Sequence, residues 1–342
     1  SLSASLKYDE AYYLKHQALA AVMGLVAMIV VANIPYHFWE RFAVLGYFLS
    51  AILIALVLTP LGIEANGARR WLNLGLSVQP AEIAKLCMIL FLASFICKMG
   101  KGIRTGRGFW LVLMIPVPIC LMVWKITNNM SSAIIIFGIA LLMLFVASPD
   151  YKRFVLMGAA GVAAVAALVF AIIQMEHSDL GFRGGRILAW LNPEAYASGT
   201  GFQTLQALYA IGSGGIFGKG LGQSMQKLGF LPEAQNDMIF SIICEELGLF
   251  GAMCIILVFA LMLWRIIHIA QNAPDLFGTM LAAGVFAHVA VQVVLNIAVV
   301  TNFIPNTGVS LPFISYGGTA SFFLLLEMGI VLNISSKIRL ER

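Results

Sequence analysis

Few side chains in this 342-residue chain are placed to do chemistry. Asp237 closes the polar run PEAQND just before the apolar stretch MIFSIICEELGLFG. A carboxylate there can cap the following helix by accepting bonds from its free N–H groups, or act as a base toward a ligand at the helix mouth. In QPAEIAK, Glu82 and Lys85 are three residues apart and share a helical face. They suit either an interfacial ion pair or a functional pair. Arg69 and Arg70 in NGARRWLNLG, Arg183 and Arg186 in GFRGGRILAWLNPE, and Lys219 add fixed positive charge. Guanidinium groups fork onto phosphate, although Arg beside Trp71 also suits a membrane-interface anchor. Glu245, Glu246 and Glu327, and the stripe His288, Gln292, Asn296 at four-residue spacing, interrupt apolar runs. Polar groups there either bond neighbouring helices or serve a ligand.

The elements that must position these groups are membrane spans. Hydrophobic residues make up 61% of the chain and charged residues 11%, with mean hydropathy +0.92, whereas soluble domains are about half apolar and a quarter charged. Apolar runs of about 17–27 residues match a hydrocarbon core of roughly 30 Å. Nine spans are predicted, at 17–35, 43–62, 81–97, 109–124, 131–148, 154–174, 238–264, 276–300 and 318–335. They are read as helices because backbone polar groups in lipid must be satisfied within the segment, and runs such as AAGVAAVAALVFAII do not alternate as barrel strands do. The chain is read as one transmembrane domain over 1–342, with a large loop at 175–237. Arg41, Lys98, Lys101, Arg104, Arg107, Lys152, Arg153 and Arg265 share a face with the C-terminus, which the positive-inside rule assigns to the cytoplasm. The long loop and Asp237 then face outward.

The net charge of +5 follows from this topology and implies no nucleic-acid partner. Five cysteines within apolar runs show no CxxC spacing, so neither a disulfide framework nor a zinc site is expected. GSGGIFGKGLG is not a Walker motif or a dinucleotide fingerprint, and no GxSxG or HExxH occurs. Its neighbouring stretch LYAIGSGGIFG is apolar enough to lie on or dip into a membrane surface.

In order, the segments NGARRWLNLG with QPAEIAK, LAWLNPE, GFQTLQALYAIGSGGIFGKGLG, LPEAQNDMIFSIICEELGLFG and TGVSLPFISYGG resemble the SEDS family (shape, elongation, division and sporulation) over essentially the whole chain. GARRW and PEAQND resemble its FtsW branch more than its RodA branch. The resemblance implies an all-α polytopic membrane protein, a SEDS-type bundle of ten spans. The opening SLSASLKYDEAYYLKHQ resembles the stretch after the first of these, so that helix is expected to be missing from the chain.

The implied activity is a peptidoglycan glycosyltransferase at the outer face of the bacterial cytoplasmic membrane, polymerising lipid II into β-1,4 glycan strands and releasing undecaprenyl pyrophosphate, for cell division or cell shape. A class B penicillin-binding protein and other division or elongation membrane proteins are the implied partners. Motif by motif, Asp237 matches the family's essential acidic residue, and Arg69 or Arg70, Glu82, Lys85 and Arg186 match substrate-binding positions of its outer cavity. One departure matters: in TNNMSSAIII, Asn129 stands where many members have aspartate. That weakens any scheme requiring two carboxylates.

The expected chemistry has Asp237 as general base toward a sugar hydroxyl, with the cations stabilising departing pyrophosphate. No cofactor is obligatory. A divalent cation, Mg or Mn, bridging the phosphates is compatible with the chemistry, but the sequence offers it no closed ligand set. Two other functions fit the same residues: a lipid II flippase, and a noncatalytic scaffold activating the penicillin-binding partner.

Overall fold

The computed structural model describes residues 12–338 except 66, 74, 76, 149 and 175–181. In chain order it contains α1 (Tyr12–Asn33), α2 (Ala43–Leu56), β1 (Gly62–Ala65), β2 (Ala68–Asn73), β3 (Ser77–Val78), α3 (Pro80–Met99), α4 (Gly106–Met114), α5 (Pro116–Ile126), α6 (Met130–Ala147) and α7 (Tyr151–Gln174). There follow α8 (Phe182–Leu191), α9 (Phe202–Gly214), α10 (Ile239–Gln271), α11 (Leu276–Val300) and α12 (Gly318–Ser336).

Every predicted apolar run contains a helix, but the second falls short of a span. Among the described residues, eight helical segments are long and apolar enough to cross a membrane. The run predicted as 43–62 yields the 14-residue α2, a rise of about 21 Å at ~1.5 Å per residue. The Thr59 hydroxyl donates back to the Leu56 carbonyl at 2.6 Å, and Pro60 has no N–H with which to extend the helix. Gly62 then begins β1, its α-carbon so close to the Val57 carbonyl that a β-carbon would lie 2.0 Å from that oxygen.

The sequence reading foresaw no strands. β1 pairs antiparallel with β2, placing Glu64 opposite Arg69, and β2 pairs antiparallel with β3. The predicted span 109–124 is interrupted at Ile115 by Pro116, which starts α5.

The chain divides into two compact units. One comprises Leu14–Pro149, Ala260–Gln292 and Gly317–Arg342. Small residues let its helices approach closely: a β-carbon on Gly284 would lie 2.5 Å from Ile89, and one on Gly329 would lie 2.6 Å from the Met28 carbonyl. His288 Nδ1 lies 2.8 Å from Glu327 Oε2, both side chains fully buried. The intramembrane Glu327 is thus matched to a partner on α11.

Asp150–Phe259 and Val293–Tyr316 belong to the other unit. Here α10 is not continuous: Gly248 has φ 68° and ψ −170°. A break exposes carbonyls above it and N–H groups below it, which cannot be left unpaired in an apolar setting. The glycine-rich segment after α9 fills the gap. Lys219 and Gly220 donate their backbone N–H groups to the Glu245 and Glu246 carbonyls, each at 2.9 Å, while Leu249 and Phe250 donate to the Gly215 and Ile216 carbonyls at 2.9 and 3.0 Å. The approach requires glycine, since a β-carbon on Gly218, itself at φ 77°, would lie 2.2 Å from the Glu246 carbonyl.

Candidate active site

Asp237 sits in a turn that its own sequence shapes. Pro232 precedes Glu233, which holds φ 55°, and the Glu233 carbonyl accepts from the Asn236 N–H at 2.9 Å. The Glu233 carboxylate also accepts from Asn236 Nδ2. Helix α10 starts only at Ile239, so Asp237 lies above its first turn. The backbone N–H groups of Asp237 and Met238 face its carboxylate and favour the ionised form.

Three further contacts fix the turn. Ser315 Oγ donates to the Asn236 carbonyl at 2.6 Å. Tyr316 N–H donates to the Gln235 carbonyl at 2.9 Å. The fully buried Asn296, on α11, donates from Nδ2 to the Asp237 carbonyl at 2.7 Å and to the Val309 carbonyl at 2.6 Å. Gly308, at φ 69°, lies against the carboxylate, so that a β-carbon there would be 3.4 Å from Asp237 Oδ2.

Arg186 reaches this unit's site from α8. Its Nη1 donates to the Asn306 carbonyl at 3.3 Å, Asn306 Nδ2 donates to Gln203 Oε1 at 2.8 Å, and Gln203 Nε2 donates to the Pro232 carbonyl at 3.2 Å. One polar chain therefore links the guanidinium to the segment carrying Asp237.

Burial and the nearby Glu233 charge push the Asp237 carboxyl up to about 7, against the opposing pull of the two backbone N–H groups and of Arg186. Asp237 Oδ1 is sealed from solvent with no hydrogen-bond partner. A half-ionised carboxylate with unused acceptor capacity is suited to take a proton at neutral pH.

Deeper in α10, Glu245 is fully buried. Lys219 Nζ reaches its Oε1 at 2.8 Å, Ser224 Oγ donates to its Oε2 at 2.5 Å, and Lys227 pairs with Glu246. These two acids therefore hold the glycine-rich segment in the helix break.

The remaining site residues read from sequence lie in the other unit. Lys85 Nζ and Glu82 Oε2 are 2.8 Å apart, and both side chains are buried in the first turns of α3. Arg69 and Arg70 are adjacent on β2 and so point to opposite faces. Arg69 is exposed and lies 3.7 Å from Glu64 across the sheet, while Arg70 Nη2 donates to the Asn128 carbonyl at 3.3 Å. Asn129 caps α6, its Oδ1 accepting from the Ser132 N–H at 3.0 Å. The side chain of Arg183 lies outside the described residues.

Among the described residues no three His, Cys, Asp or Glu side chains gather where they could hold a metal ion.

Sequence reasoning passed over Glu233 and Gly308 and read Asn296 only as part of a stripe. The signals were present: a second acid four residues before Asp237, and a glycine in TGVSLPFISYGG, the one long motif with no charged residue.

The family model FTSW_RODA_SPOVE, described as cell cycle protein, matches residues 1–340. The chain is 40% identical over 336 residues to stage V sporulation protein E of Bacillus subtilis (strain 168), covering 97% of this chain and 89% of that protein. It is 39% identical over 335 residues to a probable peptidoglycan glycosyltransferase FtsW of Trichlorobacter lovleyi, covering 97% and 86%. A chain from the structure of a peptidoglycan synthase complex, in which polymerization and crosslinking are coordinated, superposes with a TM-score of 0.80 at 25% identity, covering 97% of this chain and 92% of that one. The rod shape determining protein RodA of Thermus thermophilus gives a TM-score of 0.66 at 25% identity, covering 99% and 92%.

Proposed function

The chain belongs to the FtsW, RodA and SpoVE family of cell cycle proteins and is a multi-pass membrane peptidoglycan glycosyltransferase; we propose that Asp237 is the general base by which it polymerises lipid II. The acceptor's sugar 4-hydroxyl gives its proton to the Asp237 carboxylate as its oxygen bonds to the anomeric carbon of the lipid-linked donor. The bond from that carbon to the pyrophosphate breaks, and undecaprenyl pyrophosphate leaves with the bonding pair. Attack opposite the leaving group converts the α-linked donor sugar into a β-1,4 linkage.

Pyrophosphate departs as an anion, so no second carboxylic acid has to protonate it, in contrast to ordinary glycoside hydrolysis. Asn129 is compatible with this scheme because one base is sufficient. Arg186 supplies fixed charge near Asp237. Within the same unit, its guanidinium is the cation assigned to the departing pyrophosphate. The reaction is assigned to the outer face of the cytoplasmic membrane, with a class B penicillin-binding protein as partner.

The observation that carries this reading is the sealed Asp237 Oδ1 on a carboxyl raised to about 7. The test uses purified chain, its cognate penicillin-binding protein and labelled lipid II, with glycan products separated on a gel. Asp237→Asn is expected to abolish polymer while the protein remains folded and partner-bound. Full polymerisation by that variant overturns the assignment.

A further inference from the structure

The 33 residues of α10 rise about 48 Å if fully helical, well beyond the roughly 30 Å of hydrocarbon. Only part of the element can therefore lie among acyl chains. Trp264 and Arg265 mark its inner end, since Trp and Arg settle at a membrane interface. About 20 residues back from Arg265, the length needed to cross, the hydrocarbon boundary falls near Glu245. Gly248 then lies roughly 5 Å inside that boundary, at ~1.5 Å per residue. The backbone of residues 215 and 216, hydrogen-bonded to Leu249 and Phe250, lies at the same depth.

Three independent features fit that placement. The break leaves the backbone groups at residues 245, 246, 249 and 250 paired with the glycine-rich segment, as hydrocarbon requires. The acids at the boundary, Glu245 and Glu246, are paired with Lys219 and Lys227. At the tip of the segment, Phe217 is 81% exposed and Leu221 76% exposed, with Ile216 also exposed. This apolar surface continues into the exposed side chains of Leu249, Phe250, Met253 and Leu257 along the intramembrane part of α10.

We propose that Ile216, Phe217 and Leu221 are seated among the acyl chains of the leaflet nearest Asp237, so that the glycine-rich segment is a hook through the break in α10 that fixes the height of the site above the hydrocarbon. Asp237 lies eight residues before Glu245, on the side of that boundary away from the hydrocarbon, where the polar part of a lipid-linked substrate resides. That last step rests on the reading of Asp237 as base; the depth of the hook does not.

The test measures depth. Phe217→Cys, in a chain whose five native cysteines are replaced by alanine or serine, carries a nitroxide in nanodiscs of phosphatidylethanolamine and phosphatidylglycerol. Collision with oxygen is expected to exceed collision with a water-soluble nickel chelate severalfold. A chelate-dominated signal places the tip in water, and low collision with both reagents places it under protein, whether a partner helix or a second copy; either result overturns the proposal. Should the cysteine-free chain misfold, the unmodified chain is irradiated in nanodiscs containing a phosphatidylcholine with a tail-borne diazirine. Lipid adducts on the peptide spanning 216–221 support the hook, and their absence from that peptide while α10 is labelled overturns it. Neither readout is an activity, so the hook and the role of Asp237 stand or fall separately.

Discussion

The Asn296 side-chain amide holds the Asp237 carbonyl and the Val309 carbonyl together, at 2.7 and 2.6 Å. One group on α11 thereby fastens the turn bearing the carboxylate to the loop bearing Gly308, whose α-carbon leaves room for Asp237 Oδ2. Asn296→Leu keeps the volume and removes both bonds. Losing buried hydrogen bonds costs about 1–3 kcal/mol, and 1.4 kcal/mol is roughly tenfold in rate. The expected result is a fall of about 10- to 100-fold in kcat with a small change in KM for lipid II, while Asn296→Gln retains part of the rate. An unchanged kcat in Asn296→Leu would separate this amide from the chemistry.

The pH dependence follows from the groups around Asp237. A base must be unprotonated, and burial with the Glu233 charge raises its carboxyl to about 7, so kcat/KM should climb with pH to a plateau above neutrality. Glu233→Gln removes a charge that raises Asp237, which moves the inflection down. Arg186→Gln removes a charge that lowers it, which moves the inflection up. Initial polymerisation rates from pH 5 to 9 check both directions; shifts of the same sign would contradict the electrostatics.

The hook should tolerate no side chain at its closest approach. A β-carbon on Gly218 would lie 2.2 Å from the Glu246 carbonyl at a φ of 77°, so Gly218→Ala must displace the segment or the helix. A loss of about 2–4 kcal/mol is expected, read as a clear drop in Tm in detergent. Gly212→Ala, with open space around it, serves as the control with little change.

The Lys219–Glu245 pair should behave as a coupled unit. Lys219→Met leaves a fully buried carboxylate without its cation, at a cost of about 2 kcal/mol once the partial exposure of Lys219 is discounted. Adding Glu245→Gln removes the charge and keeps an acceptor for Ser224, so the double variant should recover most of the loss. Additive destabilisation in thermal unfolding would argue against the pair.

Hydrophobic run length made the helices legible, because in lipid an apolar run has almost no other use for its backbone. It failed where local chemistry overrode composition. Thr59 and Pro60 ended the second run early, and the short strands around Arg69 are too brief to show an alternating pattern. Asp237 stood out in the sequence as the acid ending PEAQND before an apolar stretch, and Arg186 as a fixed charge in the long loop; the structure links the two through Asn306 and Gln203. Asn296 was harder to interpret, since spacing along one helix cannot say which distant carbonyls an amide will meet. The apolar stretch LYAIGSGGIFG suggested contact with a membrane surface, but its partner, the break at Gly248, emerges only when both segments are folded together.

The discontinuity at Gly248 also bears on how such a chain can diversify. In an unbroken helix, one inserted or deleted residue rotates everything beyond it by about 100°, so a changed contact face at one end is felt at the other. With the register interrupted at Gly248 and both stumps tied to the same glycine-rich segment, a change of register on one side of the break need not be passed to the other.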